Sequence, residues 1–132
     1  MTTIDDVIAH FTALPDWQAR YRALILLGKT LPMPNDEQQQ AMTLLAGCEV
    51  PIFFQLEPTE NGIKVRLYSQ SRIINGLFVI LLHQLDALDN PQALNIHATL
   101  AKCGISEHLS ATRLAGLREI ERQIKTALRA NV

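Results

Sequence analysis

The chain has 132 residues, of which 48% are hydrophobic and 19% charged, with a formal net charge of -1. That length fits one domain over residues 1–132 and buries roughly two-thirds of the unfolded surface, and the composition excludes an intrinsically disordered chain. Twelve basic side chains against thirteen acidic ones leave no global field to draw in nucleic acid or an anionic membrane.

The first helical spacing is Ile4, Val7, Ile8 and Phe11, with Thr3 as its cap and Asp5 and Asp6 near its positive end. Leu14-Pro15 interrupts it. A second helix is expected from Asp16 to Leu27, with Trp17, Tyr21, Leu24 and Ile25 inward and Gly28 as a C-cap. Leu31-Pro32-Met33-Pro34 reads as an extended connector. Residues 36–45 suggest a short helix capped by Asn35. The pattern then turns to strand: Val50, Ile52, Phe53 and Phe54, an Asn61-Gly62 turn, and alternating Ile63, Val65 and Leu67 predict a β-hairpin over about 50–68. Residues 71–85 are apolar almost all round, as in a central helix. Short helical pieces follow near 91–94 and 99–103, the second closed by Gly104. Ser110 starts a long final helix to about Ala130. The expected class is α+β, a small antiparallel sheet packed with surrounding helices.

Two cysteines are too few for a disulfide framework. The first residues lack the basic start and apolar run of a signal peptide, and the longest apolar run is far short of a membrane span. A cytoplasmic location with free thiols is the expectation, with no membrane partner. Cys48 lies in Ala46-Gly47-Cys48-Glu49, at the junction before the hairpin. Such junctions commonly display reactive groups, and Gly47 leaves room beside the thiol. A free cysteine is more often a small buried hydrophobe, and Cys103, at a helix end, reads that way. Four histidines are present without a pair or Cys-x-x-Cys at metal-ligand spacing, so no metal site is expected. No phosphate loop or hydrolase motif occurs. Arg118, Arg122, Lys125 and Arg129 make one basic stripe on the final helix, read as a solvated face.

Four blocks, in order, resemble the SufE/CsdE family of sulfur acceptors. They are Trp17-x-x-x-Tyr21 with Leu27-Gly28 and Leu31-Pro32; Ala46-Gly47-Cys48; Ser71-Arg72-Ile73-Ile74-Asn75-Gly76-Leu77; and Leu109-Ser110-x-x-Arg113-x-x-Gly116-Leu117. The resemblance covers nearly the whole chain and implies a fold similar to SufE and IscU. It implies that Cys48 accepts sulfur as a persulfide, with Gly47, Glu49 and Arg113 in supporting places. It further implies a cysteine desulfurase partner of the SufS/CsdA type, which would carry the pyridoxal phosphate, so that this chain holds no cofactor of its own. The sulfur would pass to a downstream acceptor such as an iron–sulfur scaffold. The chain departs from the family pattern at Val50, Phe53, Tyr68, Ala101 and Thr112, and these changes are expected to cluster around the cysteine. Two other readings fit the residues: a regulatory binding module of a desulfurase that kept the fold without the chemistry, and a thiol enzyme acting alone. The second lacks a histidine placed by sequence to serve as its base.

Overall fold

The threonine at position 3 accepts the Asp6 amide on Oγ1 at 3.1 Å and opens helix α1, Ile4–Thr12, whose Val7 and Phe11 are fully buried. Asp16 does the same for α2, Trp17–Gly28, by accepting the Ala19 amide at 2.9 Å. In this computed structural model the described residues are 3–45, 50–60 and 62–130. Between α1 and α2, the Arg20 guanidinium donates to the carbonyls of Phe11 and Leu14, both at 3.3 Å. The Phe11 carbonyl also accepts the Leu14 amide, so Arg20 ties the end of α1 and the turn after it to α2.

The inner face of α2 is narrower than its spacing predicts. Leu24, Leu27 and Gly28 are buried, Trp17 and Ile25 are half-buried, and Tyr21 is exposed. Tyr21 instead meets Trp17 edge-on, with ring centroids 5.8 Å apart. Trp17 stacks flat on His108 at 4.4 Å and 13°, which ties the start of α2 to the single turn Ser106–His108 far along the chain.

The predicted helix over 36–45 is corrected by the structure. An Asn35–Gln38 capping box opens α3, Asp36–Ala41, which stops after six residues, and Thr43–Leu45 forms strand β1. No buried residue anchors α3, whereas β1 gains a ladder to β2, Ile52–Thr59. Strand pairing outweighs local helix preference here. With β3, Gly62–Ser69, the sheet is antiparallel in the order β1-β2-β3. Gly62 follows the turn at a φ of 133°, which favours glycine. Opposed pairs Ile52–Ser69 and Phe54–Leu67 face the core, and Phe53–Tyr68 and Glu57–Lys64 face the other way.

Ser71 caps α4, Arg72–Ala87, in which every residue from Ile73 to Leu81 is buried. Helix α4 is enclosed because α1, α2, β3 and α5, Ile96–Lys102, all pack on it. A single helical turn at Pro91–Ala93 precedes α5. The final helix, α6, is Ala111–Ala130, and its Leu117, Ile120 and Ile124 complete the core.

Gly28 and Gly76 set the crossing of α2 and α4. A Cβ on Gly28 would overlap the Arg72 carbonyl oxygen, and one on Gly76 would overlap the Leu24 carbonyl oxygen. So Gly28, the last residue of α2 with Lys29 as its C-cap, is a close-contact glycine and not the expected cap. Asn75, one residue before Gly76, locks α4 to the sheet. Its carbonyl oxygen accepts the Ser69 amide at 2.8 Å, and its amide donates to the Ser69 carbonyl at 2.7 Å.

Candidate functional site

Gly47, Cys48 and Glu49 lie outside the described residues. What surrounds their place in the chain is described. Leu45, the last residue of β1, pairs with Ile52, the first of β2, so the connection that carries Cys48 leaves and re-enters at neighbouring points of one sheet end. Val50, two residues after Cys48, is half-buried. It lines a pocket of about 10 Å³ with Ile52, Ile74, Thr112, Arg113, Gly116 and Leu117. That volume suits a group about the size of one water molecule.

Three distant stretches of sequence meet in this pocket: the start of β2, the first turn of α4, and the first two turns of α6. Ser110 orients the last of these by accepting the Arg113 amide on Oγ at 3.1 Å. The pocket wall is chiefly hydrocarbon, with the Thr112 hydroxyl and the Arg113 side chain as its polar members. Arg113, singled out from sequence, therefore does reach the wall next to Val50. Thr112, Gly116, Ile74 and Leu117 join it. The signal for them was present in the Arg-x-x-Gly-Leu and Arg-Ile-Ile blocks, whose residues share no periodicity that predicts a meeting.

The hairpin's contribution is limited. Ile52 and Phe54 are buried at 3% and 7% exposure and face the core, so only Val50 and Ile52 of that stretch line the pocket. The departures from the family pattern divide into separate groups. Val50 and Thr112 share the pocket. Phe53 and Tyr68 are direct cross-strand partners on the other face of the sheet. Ala101 is exposed on α5 and lines none of this.

Cys103 has the environment of a packing residue. It is fully buried, and burial pushes its thiol up to about 11 against the opposing pull of the Arg20 guanidinium. Arg20 sits close to Gly104, whose φ of 74° and missing side chain make the space. Two members of the basic stripe of α6, Arg122 and Lys125, pair with carboxylates. Arg122 donates two hydrogen bonds to Glu119, at 2.9 and 2.5 Å, and these bonds, with one from Gln123, hold the Glu119 carboxyl down to about 2. Lys125 pairs with Glu121 at 3.6 Å, and Arg129 bonds Gln92. Glu121 has a structural task as well, accepting the Ile96 amide at 2.7 Å where α5 begins. Among the described residues no helix is long and apolar enough to cross a membrane.

The fold and the site thus define a small α+β domain in which Val50, just before β2, lines a small, mostly apolar pocket with α4 and α6. The family model for SufE, described as an Fe-S metabolism associated domain, matches residues 5–128. An uncharacterized SufE-like protein of Haemophilus influenzae is 36% identical over 122 residues, covering 90% of this chain and 97% of that protein. The sulfur acceptor protein CsdE of Escherichia coli is 34% identical over 121 residues, covering 89% and 82%. The solution structure of a hypothetical protein from Thermus thermophilus superposes with a TM-score of 0.71 at 17% identity, over 96% of this chain and 93% of that one, and shares the fold. The chain belongs to the SufE family.

Proposed function

We propose that this protein is a sulfur acceptor that receives a sulfur atom from a cysteine desulfurase on Cys48 and passes it on. Membership of the SufE family and similarity to a named sulfur acceptor support the class of activity. The observation that carries the residue is an elimination. The chain has two cysteines, and Cys103 is fully buried with its thiol pushed up to about 11, so it offers almost no thiolate at neutral pH. Cys48, in the Gly-Cys block, is the nucleophile that remains.

The step is an exchange with no net redox change. The Cys48 thiolate attacks the outer sulfur of a persulfide on the partner's cysteine. The partner's sulfur–sulfur bond breaks, a new one forms on Cys48, and the partner's thiolate leaves. The pyridoxal phosphate that frees sulfur from cysteine belongs to the desulfurase. The product on Cys48 is a persulfide, a reversible state that a reductant or a downstream acceptor can discharge. An iron–sulfur scaffold is one such acceptor. The pocket of Val50, Ile52, Ile74 and Leu117 suits a shelter for one sulfur atom, because its wall is mostly hydrocarbon and its volume is that of a single small group. Arg113, on the same wall, is a positioning residue for the connection. The alternative in the same setting is a binding module that regulates the desulfurase without carrying sulfur.

Intact mass after incubation with a cysteine desulfurase and free cysteine separates the two. Transfer adds one sulfur, is lost in Cys48→Ala, persists in Cys103→Ala, and is reversed by reductant. A folded protein that stimulates or inhibits the desulfurase equally well as Cys48→Ala, and never gains mass, is a binding module.

A further inference from the structure

The edge of β3 lies along an apolar groove that shares no lining residue with the pocket at Val50. Its cavity is about 270 Å³, bounded by the Leu31–Pro34 connector on one side and by Val65 and Arg66 of β3 on the other. That volume holds one or two side chains and falls short of a drug-sized pocket.

The register fixes which backbone groups face the groove. Thr59 pairs with Gly62 across a two-residue turn, and a turn that short makes its flanking residues a hydrogen-bonded pair. Alternation then directs the N–H and C=O groups of Lys64, Arg66 and Tyr68 toward β2. Those of Ile63, Val65, Leu67 and Ser69 point away from it. At Ser69 the outward groups are taken by the Asn75 side chain, which imitates a fourth strand at that one position. Among the described residues, the outward groups of Ile63, Val65 and Leu67 have no backbone or side-chain partner. Leu67 is only 3% exposed, so the accessible part of this edge is Ile63 and Val65, and there it is a template for another strand.

Charge and side-chain alternation select the occupant. Val65 and Leu67 turn to the core side, and Lys64 and Arg66 to the outer side. The Arg66 Nε is shielded from water and makes no hydrogen bond, and its nearest carboxylate, Glu57, is 3.7 Å away. A shielded donor of this kind gains from any acceptor brought alongside. Met33, 76% exposed, extends the apolar wall.

We propose that β3 and this groove bind an extended segment of a partner protein by strand addition, one in which apolar residues alternate with acidic ones. The apolar side chains enter the groove beside Val65 and Leu67, and the acidic ones lie opposite Lys64 and Arg66. This holds whether or not Cys48 carries sulfur.

The test uses the full chain, isotope-labelled for NMR, and a blocked seven-residue peptide alternating glutamate and valine. Saturable shifts and slowed amide exchange at Ile63 and Val65 are expected. Lys64→Glu with Arg66→Glu should weaken binding at least tenfold, as should replacing glutamate by lysine in the peptide. Val65→Pro should abolish it, because the lost N–H points away from β2 and the hairpin keeps its bonds. If Val65→Pro fails to fold, the charge-reversed variant decides. The proposal is overturned by an absence of saturable shifts, by shifts centred on Leu44 at the opposite edge, or by equal binding of the lysine peptide. Concentration-dependent pairing of two copies through β3, in place of peptide binding, also overturns it.

Discussion

The α2–α4 crossing and the sheet end that flanks the Cys48 connection draw on different sequence blocks, and they share only the one that holds Ile74 and Gly76. At the crossing, Gly28 and Gly76 let backbone touch backbone, and Asn75 closes the open edge of β3 at Ser69. The atoms that a side chain on either glycine would meet are backbone atoms. At the sheet end, Val50, Ile52, Arg113 and Gly116 come together from separate elements around a small pocket. A family motif is therefore not one kind of signal. Leu-Gly and Gly-Leu specify how closely two helices approach, and Arg-x-x-Gly-Leu supplies one wall of a small pocket beside Val50.

The sharpest way to break the first region is Gly76→Val. The new side chain would meet the Leu24 carbonyl, which is backbone and cannot swing aside, so the helices must separate. A loss of about 3 kcal/mol or more in urea unfolding is expected. Gly28→Val should behave alike, since its obstacles are also backbone atoms. The comparison is sharpened by Cys48→Ala, which should remove sulfur loading and leave the unfolding midpoint nearly unchanged. A Gly76→Val protein as stable as the parent would show that α2 and α4 do not cross this closely.

Asn75→Ala should have the next largest effect. It leaves the buried Ser69 N–H and C=O without the partners that hold them at 2.8 and 2.7 Å. Two unsatisfied backbone groups should cost about 2–3 kcal/mol. Sulfur loading per folded molecule should stay at the parent level, because Asn75 does not line the pocket at Val50. A change in loading without a change in stability would instead join the two regions.

Much of the scaffold is legible in the sequence. Thr3 and Asn35 cap the helices their positions predict, Asp16 and Ser71 prove to be the caps where two further helices were expected to open, and the hairpin and the enclosed α4 lie where periodicity puts them. The misses have physical causes. Residues 43–45 became a strand because β2 offered a ladder, and no local pattern records a partner that arrives later in the chain. Tyr21 has the spacing of an inner residue but finds Trp17, which His108 has already drawn to the surface side. For the site, Arg113 was singled out through the resemblance and lines the pocket next to Val50, whereas Cys48 lies outside the described residues. The shared pocket of Val50, Thr112 and Gly116 was not legible, since three segments meet there only once folded. Nor were Phe53 and Tyr68 seen as one pair, because strand register was needed to place them face to face.

The most condition-bound effect lies in the contrast between the two thiols and appears only at alkaline pH. Folding raises the Cys103 thiol from 9.0 to about 11 through burial, with the Arg20 charge opposing. Between those values the folded state keeps a proton that the unfolded state has released. The stability that this buried neutral thiol provides is therefore whole below pH 9 and falls as the pH rises toward 11. The slope is at most about 1.4 kcal/mol per pH unit. Urea unfolding from about pH 8 to 11, with Cys48→Ala as the common background, isolates it: the protein retaining Cys103 should lose more stability over that range than its Cys103→Ala counterpart. Parallel curves would mean that Cys103 reaches solvent. The elimination that assigns the chemistry to Cys48 would then have to rest on sulfur loading of the two cysteine variants alone.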